Sequence, residues 1–145
     1  MNRQKLVTIL GSLGVIPFLV ALVFAIVRPE AGFKAFMLYS MAILCFLAGS
    51  WWSSALVTRD ADEKARMSTV VLSNVIVLLA LAFVYLGNAP GLLSLGALYL
   101  ALMIGERKLE VFASQPEYYR IMRSMVSLVV VLLHVSCWLL LSARL

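Results

Sequence analysis

Histidine occurs once in this 145-residue chain, cysteine twice, and charged residues make up only 13% of it. A single imidazole, His134, excludes a haem held by two histidines within one chain and any histidine-rich metal site. Cys45 and Cys137 lie alone in separate apolar runs, without a Cys-x-x-Cys pair, so each reads as a small packing residue rather than half of a disulfide. No nucleophile stands beside a base, no glycine-rich loop resembles a phosphate cradle, and no acidic residue falls inside an apolar run. The residues that usually carry catalysis are therefore missing, and neither enzyme activity, cofactor nor metal is expected.

What is present in quantity is apolar surface. Hydrophobic residues make up 63% of the chain and mean hydropathy is +1.02, whereas a soluble domain carries roughly 25% charged residues. Five runs divide the chain almost end to end: 6–27, 35–57, 67–86, 89–105 and 125–143. Each is long enough, or nearly so, to cross a bilayer core of about 30 Å at 1.5 Å per helical residue. The predicted fold is all-α, one integral membrane bundle of five transmembrane helices with no room for a separate soluble domain. The first run overruns the length of a signal-peptide core and reads as an uncleaved span. Gly11, Gly14 and Pro17 predict a bent, closely packed helix there. The fourth run is shortest and needs help from the turn Gly87-Asn88-Ala89-Pro90-Gly91, which predicts a tight antiparallel hairpin with the third.

The formal charge of +5 and pI near 9.6 could suggest nucleic acid, but the basic residues sit at run ends, so no nucleic-acid partner is expected. With the N-terminus inside, nine of them are cytoplasmic: Arg3, Lys5, Arg59, Lys64, Arg66, Arg107, Lys108, Arg120 and Arg123. Arg28, Lys34 and Arg144 fall outside. Short loops carry this signal well, which predicts a cytoplasmic N-terminus and an external C-terminus. Trp51 and Trp52 near one interface, with Tyr39, Tyr85 and Trp138 toward the other, read as aromatic anchors.

Ser114-Gln115-Pro116-Glu117 has capping-box spacing, so the last helix is predicted to begin around Gln115. Its first turns place Tyr118, Tyr119, Arg120 and Arg123 at headgroup level, a basic aromatic surface whose expected ligand is anionic lipid. Within the bilayer, His134 is a candidate functional group by its position, and Asn74 and Ser73 are expected to bond between helices. Ala97, Ala101 and Gly105 form a small-residue stripe that lets another helix approach, from within the chain, a second copy or another membrane subunit.

Three separated blocks, Leu10 to Phe18, Tyr39 to Trp52 and Pro116 to Arg123, resemble a family of small bacterial membrane proteins whose domain, of unknown function 3429, has no assigned activity. Its eukaryotic relatives include mitochondrial transmembrane protein 69. The resemblance covers most of the chain in order and implies a multi-pass protein of the bacterial inner membrane. The family pattern has Gly-Gly-x-His-Trp-Gly where this chain has Ala48-Gly49-Ser50-Trp51-Trp52-Ser53, and Trp-Tyr where it has Tyr118-Tyr119. Position 51 thus offers no protonatable group. Three functions follow as expectations: an accessory or assembly subunit of a larger membrane complex, a small oligomeric transporter or channel, and a lipid- or quinone-binding protein at the cytoplasmic interface.

Overall fold

A computed structural model describes residues 2–143; Arg144 lies outside the described residues. Helices α1 (Arg3–Leu13), α2 (Ile16–Val27), α3 (Pro29–Val57), α4 (Glu63–Leu86), α5 (Ala89–Lys108) and α6 (Glu117–Ser142) follow one another, with a 3₁₀ turn at Glu110–Phe112 between the last two. There is no strand among the described residues. Together α1 and α2 form one stretch, Arg3–Val27, and with α3 to α6 give five stretches long and apolar enough to cross a membrane. The N-terminus, the α3–α4 loop and the α5–α6 connection share the basic end of the bundle. The turns at Arg28 and Gly87–Asn88 lie at the other end. Helix α3 packs on both α2 and α4 and also touches α5, while α6 closes the ring against α5 and the first span.

The bend in the first span has an identifiable cause. Pro17 has no N–H, so the ladder is interrupted, and the amides of Phe18 and Leu19 both turn to the Val15 carbonyl. The Gly14 carbonyl, left without a backbone donor, accepts the Tyr39 hydroxyl at 3.0 Å. Tyr39 is therefore half-buried against the bend rather than anchored at an interface. Tyr85 is 90% exposed at the end of α4.

Four helices start earlier than the apolar runs, α1 among them at Arg3. Helix α3 begins at Pro29, α4 at Glu63 and α6 at Glu117, each with an acidic residue in its first turn, where free amides favour negative charge. Helix α5 reaches 20 residues, about 30 Å, so the fourth segment has the length of a full crossing. Its hairpin with α4 forms as the turn sequence predicts. Gly87 takes φ +58°, and the Asn88 side chain caps α5 by accepting from the Gly91 amide at 2.8 Å.

The predicted capping box does not form. Pro116 is the cap residue of α6 and no side chain bonds there. The preceding turn takes the chain elsewhere: Val111 and Phe112 are buried, and the Gln115 amide bonds the Phe112 carbonyl while its side chain reaches Ser54. The connection is a folded cover over the bundle end, tied to α3 by Thr58 Oγ1 donating to the Val111 carbonyl at 3.1 Å.

Candidate functional site: an intramembrane cavity with a neutralised polar rim

Helix α6 presents Arg123, Ser127, Val130, His134 and Cys137 to the interior, one buried stripe running from the basic end to the far half of the bundle. This stripe brings together two polar groups with a cavity between them.

At the basic end, Arg123 points inward and is only 7% exposed. Its Nε donates to Glu106 Oε2 at 2.9 Å and its Nη2 to Glu106 Oε1, a two-pronged ion pair. The remaining prong, Nη1, donates to Ser50 Oγ at 3.0 Å and to the Tyr119 hydroxyl at 2.9 Å. Glu106 also accepts the Trp51 indole N–H at 2.9 Å. Trp51 is fully buried, packs on Phe112, and lies so close to Gly105 that a Cβ there would overlap its ring. Gly105 is thus a seat for Trp51. A buried Arg–carboxylate pair gains little net stability, because desolvating both charges offsets their attraction, but either partner alone is strongly unfavourable.

In the middle of the bundle His134 is fully buried. Its Nδ1 lies 2.8 Å from the Val130 carbonyl, and its Nε2 lies 2.8 Å from Ser40 Oγ. A neutral ring with hydrogen on Nδ1 satisfies both contacts, since a carbonyl can only accept and the Ser40 hydroxyl can donate. Tyr99 donates to the Ser40 carbonyl at 2.9 Å, and Phe18 and Phe36 pack their rings against the imidazole. The close approach of α5 here requires Gly96, whose added Cβ would meet the His134 Cβ at 3.1 Å.

Between these groups lies a cavity of about 330 Å³. The first span forms one wall through Val7, Leu10, Gly11 and Gly14; α3 contributes Phe46 and Leu47; and α6 contributes the face from Tyr119 to Val130. Phe18 and Tyr99 line it near the His134 group. At Gly11 the close helix contact that the sequence suggests is present, since an added Cβ would run into the Met122 side chain of α6, whereas at Gly14 an added Cβ would meet only the Gly11 carbonyl. The side chain missing at Gly14 leaves space in the cavity instead. Ser127 lines the wall at 8% exposure. The other buried hydroxyls, on Ser40, Thr69 and Ser73, all have partners, while Ser127 has none among the described residues.

The candidate residues therefore separate. Trp51, Tyr119 and Arg123 meet in one cluster, and His134 occupies a second. Trp52 is 43% exposed and turned outward. Tyr118 and Arg120 are half-buried on α6, outside both hydrogen-bonded groups. Asn74 is exposed and, with Ser73, bonds the Val70 carbonyl of its own helix, so the expected interhelical bonds are absent. Ala97 and Ala101 face out of the bundle. Sequence reasoning missed Glu106, Ser50 and Ser127. Glu106 had a signal, a lone acid at the end of an apolar run. Both cysteines are free thiols, Cys45 half-buried and Cys137 buried.

A family model described as "Protein of unknown function (DUF3429)" matches residues 3–139. The chain belongs to the DUF3429 family. The match takes in all six helices nearly end to end, so the cavity and both polar groups of this DUF3429 protein lie within the family's domain. No curated protein and no solved structure matches the chain.

Proposed function

We propose that this DUF3429 protein is a non-catalytic multi-pass protein of the bacterial inner membrane that holds the apolar tail of a membrane amphiphile between its first span and α6. The supporting observation is the cavity. Its volume lies near the lower end of the roughly 300–1,000 Å³ usual for small-molecule pockets. Apolar side chains line most of it, and hydroxyl groups stand at one end and part-way along its wall. The basic end faces the cytoplasm, because eight lysine and arginine residues besides the internally paired Arg123 lie there. Exposed cations at this end, with half-buried Arg120 beside them, draw the protein's surface to anionic headgroups.

The test is lipid extraction from protein purified in mild detergent. Leu10 lines the cavity yet is 59% exposed, so Leu10→Trp fills the space from its rim without disturbing the core. Wild-type protein is expected to carry a stoichiometric amphiphile that the variant loses. Equal lipid content in the two proteins would refute this reading.

A second reading, an accessory subunit of a larger membrane complex, is favoured by outward-facing Ala97 and Ala101. Small residues on an exposed helix face permit close approach of a further helix. Ala97→Leu is expected to release associated subunits in native gels while the monomer keeps its thermal stability; undiminished association would remove this face from consideration. Transport has less support, since Asn74 bonds its own helix and His134 is enclosed by aromatic rings.

A further inference from the structure

Resting on the cavity reading, we infer that the occupant is an uncharged lipid bearing carbonyl oxygens, of the single-tailed quinone type, rather than an anionic phospholipid. The rim decides the charge. Arg123, which by sequence looks like a headgroup ligand, has both its Nε and Nη2 edges committed to Glu106 and its Nη1 committed to Ser50 and Tyr119. The carboxylate cancels the guanidinium charge within the cluster. An anionic headgroup brought into this desolvated rim meets no uncompensated cation, and burying a charge without a partner is costly.

The hydrogen-bonding groups decide the headgroup's chemistry. The Tyr119 oxygen already accepts from Arg123, so its own O–H remains to donate. One of the five guanidinium hydrogens, on Nη2, is likewise left over. Ser127, nine-tenths buried and without a partner among the described residues, adds a third donor to the same cavity two helical turns deeper than Tyr119. What the protein has spare is donors, and the complement of several donors without net charge is a neutral molecule with carbonyl oxygens. Space decides the tail: a cavity of about 330 Å³ suits one narrow chain and a small head better than two acyl chains.

The experiment uses the full chain in phosphatidylcholine nanodiscs. A short-tailed benzoquinone is titrated and its binding is followed in competition with phosphatidylglycerol and with diacylglycerol. The quinone is expected to bind, phosphatidylglycerol at tenfold excess to leave it in place, and Ser127→Ala to weaken it about 3- to 10-fold through loss of one hydrogen bond. Because alanine at this position removes only one oxygen, the variant keeps its fold, and circular dichroism checks that it does. Displacement by phosphatidylglycerol would overturn the uncharged-headgroup inference and leave tail binding standing. Displacement by diacylglycerol alone would overturn the quinone-type assignment. Identical affinity for wild type and Ser127→Ala would remove the hydroxyl's role. If no lipid of any class binds, and Leu10→Trp behaves as wild type, the cavity reading fails with the inference.

Discussion

Glu106→Ala is expected to destabilise the folded bundle by about 3–5 kcal/mol, the cost of leaving a buried charge without its partner. Arg123 is 7% exposed and Glu106 is its one acidic partner among the described residues, so removing the carboxylate strands a buried guanidinium. Trp51 loses its acceptor at the same time. The loss should fall well short of additive when Arg123→Met accompanies it, because an apolar side chain of similar length needs neither partner. Unfolding by SDS titration in mixed micelles, followed by circular dichroism, measures all three proteins. A single variant within 0.5 kcal/mol of wild type, the range of ordinary surface substitutions, would show that Arg123 reaches water and does not depend on Glu106.

Gly32→Val is the second large effect, expected to exceed the roughly 1–3 kcal/mol usual for overpacking. A Cβ at Gly32 would run into the backbone nitrogen and Cα of Ala25 across the turn between α2 and α3. Flexible side chains can move aside, but backbone atoms in a helix cannot do so without breaking its ladder. The first span should then splay from α3, opening the cavity wall and stripping the Tyr39 hydroxyl from the Gly14 carbonyl. Thermal unfolding and cysteine accessibility at half-buried Cys45 report both changes. Wild-type behaviour in both would mean that the turn has slack that its geometry does not show. Gly49, whose Cβ would meet nothing within 4 Å, is the control position: Gly49→Val has room and should stay near wild type.

Much of this architecture was legible in the residues. Five apolar runs separated by short charged or Gly/Pro-containing breaks read directly as five spans, and Gly87 to Gly91 as a hairpin turn. Helix ends were less legible, because hydropathy stops at the first charge while backbone hydrogen bonding does not. Glu30, Lys34, Lys64 and Arg66 all sit on helices that continue past the apolar runs. Arg66 even turns back to donate to the Ala55 carbonyl of α3 at 2.9 Å.

The cavity was the least legible feature. Arg123 lies three residues after Arg120, a spacing that invites one shared basic surface. It also lies four, seven and eleven residues before Ser127, Val130 and His134, the spacing of a buried helix face. Charge pointed outward and periodicity inward. The partner that settled the conflict, Glu106, comes from another helix, and no local pattern joins the two. Ser127 gave no signal alone, since most membrane serines bond their own helix. Gly11 and Gly14 are compatible with either a close contact or a void, and only the position of α6 distinguishes them.

The most direct measurement is a density map of the protein in lipid nanodiscs. The predicted result is a rod of non-protein density between the first span and α6, its head beside Tyr119 and its length passing Ser127. Closure of the first span further onto α6, with Phe46 filling the space and no density between, would contradict it.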